Sequence, residues 1–432
     1  MKCYFNVCLI VHGGIILQMN ANPPEQSYDI KKRNFRNVQI DAVGVALSTA
    51  AAPFLPVFLT RMGATNLQVG LLTAMPGVTG LVLALFIGRF LQTRRNIVPW
   101  FSGSRLLVLS SYALTGLVSM AIPKEFLVNS VLGIWALATI PQTSLAVCFS
   151  VVMNAVAGPQ GRYALLSRRW TIFGLTNTIV TFFATQMLDR VVFPLNYQVL
   201  FISLSLGGLI SYYFSSRITL PDQTPPPLAE SKSLGETLQN YLRLMRQNPA
   251  FVSFVSKRFV YLSAISLGAP IFPLFFVREV HATDAEIGTI NMATSAVMMV
   301  GYSFWTWISR KKGGRFVLLA TTFGLMLYPL ASTLTPQVGW IIFYAGTSGF
   351  FQAGIDLVFF DELMKTVPPE YSATFVSLAQ SLQYLSAMLA PLAGTWLADH
   401  LGLGAALLVS AGLRLLGFLL FLRSDRLVIH AS

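Results

Sequence analysis

The sequence predicts an all-α membrane protein, with twelve transmembrane helices in two pseudo-symmetric six-helix bundles. Three observations predict it: a composition too apolar for a soluble surface, an alternation of basic connections, and an internal repeat. Of the 432 residues, 54% are hydrophobic and only 11% charged, and the mean hydropathy is +0.63. A soluble domain carries about 25% charged residues. This excludes a soluble multidomain chain and a disordered one. The three cysteines, Cys3, Cys8 and Cys148, cannot build a disulfide scaffold.

A span needs roughly 20 apolar residues to cross a ~30 Å hydrocarbon layer. Twelve stretches qualify: 38–59, 67–88, 98–121, 127–151, 170–188, 194–214, 252–276, 285–309, 316–334, 338–362, 373–398 and 403–422. Each is expected to be helical, because backbone groups facing lipid have no water to pair with. Pro53, Pro56, Pro76, Pro141, Pro270, Pro273, Pro329 and Pro391 fall inside these stretches and are expected as kinks.

The net charge of +13 would point a soluble protein toward nucleic acid. In a membrane protein, Lys and Arg collect in cytoplasmic loops instead. Of the 30 basic residues, 24 fall on one side: the N-terminal segment, the connections after spans 2, 4, 6, 8 and 10, and the tail. Among them are Arg94 and Arg95, Arg168 and Arg169, Lys257 and Arg258, Arg310 and Lys311, and Lys365. Only Arg61, Lys124, Arg190 and Arg278 fall on the other side, and Arg105 and Arg414 lie inside spans. The pattern places both termini in the cytoplasm of a cell that carries this multi-pass protein in its plasma or inner membrane. A nucleic-acid partner is not expected.

Lys2 and the apolar run Phe5 to Leu17 resemble a signal peptide slightly, but no small-residue cleavage site follows. Residues 1–37 are therefore read as a cytoplasmic N-terminal extension, with Met19 as an alternative start.

The chain repeats itself. Ala52-Pro53-Phe54-Leu55-Pro56-Val57-Phe58 in span 1 recurs as Ala269-Pro270-Ile271-Phe272-Pro273-Leu274-Phe275 in span 7, 217 positions on. Arg61 then matches Arg278, and Ala64-Thr65-Asn66 with Val69-Gly70 matches Ala282-Thr283-Asp284 with Ile287-Gly288. The domains expected are a first bundle at 38–218, a cytoplasmic linker at 219–249, a second bundle at 250–423 and a tail at 424–432. The linker opens with Pro225-Pro226-Pro227, which stays extended. From Ser233 it has capping-box spacing, and Leu234, Leu238, Tyr241, Leu242 and Met245 mark one face of an amphipathic helix.

On these features, over roughly residues 33–425, the sequence resembles the major facilitator superfamily. The stretch Gly88-Arg89-Phe90-Leu91-Gln92-Thr93-Arg94-Arg95 has the glycine and the basic residues of that family's loop motif, with Gln92 where an acid is expected. The resemblance implies a secondary active transporter that moves a small solute by alternating access around a midplane site. It implies coupling to a proton or another cation, as symporter or antiporter. Arg94, Arg95, Arg310 and Lys311 would be gating-loop residues, and spans 1, 4, 7 and 10 would line the cavity.

No enzyme is expected: nothing resembles a nucleophile elbow or a phosphate loop. His12, His281, His400 and His430 have no metal-ligand spacing, so neither metal nor cofactor is expected. Charges within spans are the informative residues, because they are costly there. Asp41 and Arg105 fall at one depth in the first half, and Asp356 and Arg414 at one depth in the second. Either aspartate could be a coupling site, or each pair could be a permanent bridge.

Candidate solute contacts are Gln142, Asn154, Gln352 and Asp356 in the lining spans, with Asn177, Gln380 and Tyr384 in spans 5 and 11. Ser and Thr residues of the spans more often bond helix backbone. An aromatic, sparsely charged cavity suits an amphipathic or modestly polar solute over a polyanion. The expected partners are that solute, the bilayer and a coupling ion, with the protein a monomer. The alternative is a non-transporting binding or assembly protein of the same fold, its Asp/Arg pairs purely structural.

Overall fold

The computed structural model describes residues 28–92, 94–220, 248–366 and 372–423. Among these the chain forms twelve helices. They are α1 (Tyr28–Thr49), α2 (Phe54–Arg61), α3 (Asn66–Gln92), α4 (Val98–Ala121), α5 (Lys124–Arg190) and α6 (Leu195–Ser216). The second half contributes α7 (Pro249–Gly268), α8 (Ile271–Arg278), α9 (Asp284–Leu334), α10 (Val338–Thr366), α11 (Ser372–Leu401) and α12 (Leu403–Leu422). The amphipathic helix expected in the linker and the segments expected as extension and tail lie largely outside the described residues.

Helices and crossings do not correspond one to one. α1 and α2 together make one crossing, Tyr28–Arg61, and α7 and α8 another, Pro249–Arg278. α5 and α9 each make two. The 67 residues of α5 would reach ~100 Å if straight. Yet the Arg169 guanidinium lies 4.8 Å from the Phe149 ring, so the helical run doubles back between its two apolar crossings, Lys124–Ala157 and Arg168–Arg190. α9 is interrupted at Gly313, whose φ of 80° and ψ of 160° suit a residue without a side chain. Trp305 and Thr321, on either side of that break, both abut Gly354 of α10.

Of the eight prolines expected as kinks, two interrupt the helices. Pro53 and Pro270 lie at breaks between α1 and α2 and between α7 and α8, where the missing N–H and the ring prevent continuation. Pro56 and Pro273 fall in the first turn of the next helix, where an N–H would have no partner anyway. Pro76, Pro141, Pro329 and Pro391 sit in helices that continue through them.

α1 to α6 pack as one bundle and α7 to α12 as another, meeting along α3–α11, α5–α9 and α2–α8. The two faces of the molecule differ. At the face opposite the basic loops, here the far face, a single hydrophobic core joins Phe54, Leu55 and Phe58 of one bundle to Ile271, Leu274, Phe275 and Leu407 of the other. Toward the basic face each bundle keeps a core of its own. One contains Val38, Phe101, Cys148 and Val152, the other Phe251, Trp305, Val358 and Phe375.

Candidate functional site

The repeated segments meet each other at the far face. Arg61, at the end of α2, donates from Nε to Asp284 Oδ1 at 2.5 Å and from Nη2 to the Ala282 carbonyl at 2.8 Å. Arg278, at the end of α8, donates from Nη1 to Asn66 Oδ1 at 2.6 Å and from Nη2 to the Ala64 carbonyl. Each arginine thus grips, in the opposite bundle, the residues that its own repeat carries just beyond it. Asn66 and Asp284 open α3 and α9, which are capped alike: Thr65 with Gln68, and Thr283 with Glu286.

Two further bonds complete the clasp, from Tyr197 Oη to Asp284 at 2.6 Å and from Asn66 Nδ2 to Asp399 at 2.7 Å. The repeated glycines lie below it, where a Cβ on Gly70 would meet Thr395 of α11 and one on Gly288 would meet Thr185 of α5.

Near the basic face of the first bundle, Asp41 is fully buried. It accepts from Arg105 Nη1 with both oxygens and from Ser211 Oγ at 2.6 Å, and Arg169 Nη2 lies 3.6 Å away. Gly44 and Gly207 let α1 and α6 approach closely enough for Ser211 to reach, since a Cβ on either would lie 2.5 Å from the other's carbonyl. One carboxylate thus serves two arginines, each with a ring beneath it: Phe101 at 4.4 Å from Arg105, and Phe149 at 4.8 Å from Arg169. Cation–π contact recovers part of the missing charge balance. Arg169, counted with the loop residues in the sequence, proves to be buried in this cluster.

The second bundle is arranged differently. Asp356 accepts from Gln352 Nε2 at 2.7 Å and from Tyr302 Oη at 2.9 Å, and it is exposed although ten residues from the end of α10. The pairing expected between Asp356 and Arg414 does not form. Arg414 is buried and donates from Nη1 to the Leu325 carbonyl at 2.9 Å, on the side of α12 that faces α7 and the second crossing of α9. Counting residues from the helix end fixed the height of both groups but not the direction each faces.

Gln142 on α5 and Gln380 on α11 are exposed. Asn177 is half-buried and donates to the Ala46 carbonyl at 3.3 Å, tying α5 to α1. Tyr384 is taken up in the seam between bundles, its ring where a Cβ of Gly80 would stand. The side chain of Asn154 lies outside the described residues. Ser48, Thr49, Thr139, Thr143 and Ser348 bond backbone carbonyls. At the basic face Arg94 lies over the Phe90 ring and Lys311 over Trp307, while Arg95 and Arg310 are exposed.

Arg258 was also counted with the loops, and it lies nine residues into α7. The 217-residue offset that superposes the two helix breaks places it opposite Asp41.

Residues 258–430 match the family model described as the Major Facilitator Superfamily. No curated relative matches the chain by sequence. Three solved structures share its fold over nearly their whole length. A bacterial homolog of the human lysosomal transporter Spinster, in an inward-facing and unoccupied conformation, is 13% identical with a TM-score of 0.63, covering 91% of this chain and 97% of its own. A bacterial homologue of the iron transporter ferroportin, inward-facing, is 14% identical at 0.65, covering 91% and 98%. The nucleoside transporter NupG is 11% identical at 0.65, covering 91% and 99%.

Proposed function

For a chain with the major facilitator superfamily fold, whose residues 258–430 also match that family's sequence, we propose secondary active transport of a small solute across the plasma membrane, with both termini cytoplasmic. The observation that carries this reading is the asymmetry of closure. The bundles share one core and six polar bonds at the far face, and toward the basic face they keep separate cores. Such an arrangement suits an inward-facing state held shut on the outside by contacts that can break. Polar contacts of this kind can be exchanged with water at low net cost, whereas a continuous apolar seal along the whole interface could not. Ala52 and Ala269, at the two helix breaks, are exposed although the residue before each, Ala51 or Gly268, is buried, as a space reaching up to the breaks would require.

Coupling is attributed to Asp356. A carboxylate inside a span whose only hydrogen-bond partners among the described residues are an amide and a phenol can gain and lose a proton, or take a cation, without breaking an ion pair. Asp41 is instead read as a bridge, since removing its charge leaves two arginines buried without an anion.

The test is the transient current that follows a pH jump on proteoliposomes adsorbed to a capacitive sensor. Wild type is expected to give a current and Asp356→Asn to lose it while still inserting as a monodisperse protein. An Asp356→Asn current equal to wild type contradicts the coupling role.

A further inference from the structure

Asp356 differs from the other deep charges of the spans in being reachable. Asp41, Arg105, Arg169 and Arg414 are buried, and Arg258 is half-buried with its guanidinium bonded to Gln383. Asp356 is exposed, although protein crowds around it on most sides. That combination marks the wall of a recess, not a surface turned to lipid. The one charge that a solute could reach there is negative.

The packed faces of the helices say where the recess opens. Successive residues of an α-helix turn by about 100°, so positions three apart lie about 60° from each other. On α10, Ala353 meets Gly301 in the first crossing of α9, and the Phe359 ring lies 5.8 Å from that of Tyr261 on α7. Asp356 is three positions from each and on opposite sides of them, so it points between α9 and α7. It turns away from Gly354, which abuts Thr321 of the second crossing of α9. On the first crossing, Gly301 meets Phe350 of α10, and a Cβ on Gly174 of α5 would lie 3.8 Å from Met299 Sδ. Tyr302 falls between those two faces. Both side chains therefore point into the space that α5, α7, α9 and α10 surround, between the bundles.

The carboxylate is held ready there. Tyr302 Oη and Gln352 Nε2 donate to one oxygen each, which fixes its plane, and neither brings a positive charge. Each oxygen keeps a further acceptor site, and the Gln352 amide carries another acceptor beside them. Phe360, one turn along the same face, is exposed, and the Tyr302 ring stands across from it. An ammonium with an apolar substituent finds a counter-charge, acceptors and aromatic faces together in such surroundings. Protein on most sides strengthens the attraction beyond its value in water.

We propose that Asp356, Tyr302 and Gln352 form a cation-recognising subsite and that the solute is a small organic monocation. Its ammonium pairs with Asp356, and its apolar part lies along Tyr302 and Phe360. The proposal rests on the transporter reading. Its test reads binding and not transport, so the two fail separately.

The experiment follows thermal unfolding of the purified full-length protein at constant ionic strength, with benzylamine hydrochloride replacing sodium chloride. Benzyl alcohol and sodium benzoate are the neutral and anionic comparisons. Benzylamine is expected to stabilise saturably, with an apparent affinity at least ~10-fold tighter than benzyl alcohol, as a charge-assisted contact requires. Asp356→Asn, nearly isosteric, should abolish the preference. Tyr302→Phe keeps the charge and removes one orienting donor, so it should weaken the preference by a smaller factor. Both variants should elute as wild type on size exclusion. If Asp356→Asn does not, Tyr302→Phe decides, and an unchanged preference there overturns the subsite. Retention of the preference in Asp356→Asn would overturn it as well, as would equal effects of benzylamine and benzyl alcohol or a preference for benzoate. A wild-type protein that gives the pH-jump current but no preference for benzylamine loses this proposal and keeps the transporter reading.

Discussion

The two ends of the repeated crossing differ in how closely the copies match. At the far face the copies are chemically alike: an arginine ends each short helix after the break, and a capped Thr-Asn or Thr-Asp opens the next. Nine residues before Ala50, and nine before Leu267, the copies differ completely, with Asp41 in one and Arg258 in the other. The contacts explain why. Arg61 holds Ala282 and Asp284 of the other bundle, and Arg278 holds Ala64 and Asn66 of the other bundle, so a change in either copy is felt by both. At the basic face the copies do not meet. Asp41 faces α4, α5 and α6 of its own bundle, whereas Arg258 faces α11 of its own. The copies match where the repeated segments touch each other, and differ where each faces only its own bundle.

Asp41→Ala tests the specialised end and should have the largest effect. It strands Arg105 and Arg169 without an anion, and losing one partner of a buried ion pair costs about 3–5 kcal/mol. A lowered midpoint of unfolding in SDS titrations of mixed micelles would register it, and a near-neutral result would remove the bridge from the account. Next in size are Arg61→Ala and Arg278→Ala. Each deletes two partly solvent-accessible bonds worth about 0.5–1.5 kcal/mol apiece to the closed far face, shifting the closed–open balance by roughly tenfold for every 1.4 kcal/mol. The two should act alike, because the clasp is reciprocal. A difference of more than tenfold between them in thiol accessibility of a far-face cysteine would break the comparison.

Gly288→Ala should cost the closed state about 1–3 kcal/mol through overpacking, because its Cβ would lie 1.7 Å from Thr185 Cγ2. The same accessibility assay should report this as easier opening. Gly313→Ala, in a turn with nothing near it, should leave opening unchanged and act only through its strained φ.

The smallest effect is expected at Lys365, outside the spans, whose ammonium is pushed up by hydrogen bonds to Asp361 and Glu362. A raised pKa means its contribution is full below the ordinary lysine value and fades as pH rises through the raised one. The ion pairs are more than half exposed on the lysine side, so Lys365→Ala should cost under about 0.5 kcal/mol near neutral pH and less in high salt.

Much of this architecture was legible in residue order alone. The spans could be counted because lipid demands continuous apolar helix, and the repeat could be seen because Ala52 to Phe58 and Ala269 to Phe275 match residue by residue, both prolines included. The clasp was half legible: Arg61, Arg278 and their downstream Thr-Asn and Thr-Asp were matched as copies, but nothing in a linear match says that copies touch. Azimuth was the missing quantity. Asp41 and Arg105 face each other and Asp356 and Arg414 do not, although both pairs agree in depth. Arg169 and Arg258 were hidden because each follows another basic residue, Arg168 and Lys257, and a basic pair at a span's edge reads as loop. The signal that could have separated them is the apolar sequence on both sides of Arg258.

On the proposed transport reading, the bundles rock about a seam that closes at one face as it opens at the other. Spin labels at the exposed Lys124 and Gln337 report the far face, and labels at Arg95 and Lys312 the basic face. Cys3→Ser/Cys8→Ser supplies the background, since Cys148 is fully buried. Double electron–electron resonance on lipid nanodiscs should find one short far-face distance in the otherwise wild-type protein. In Arg61→Ala/Arg278→Ala a longer far-face population should emerge, matched in amplitude by a shorter basic-face one. Far-face and basic-face populations that change independently, or a clasp variant identical to wild type at both faces, would contradict the account.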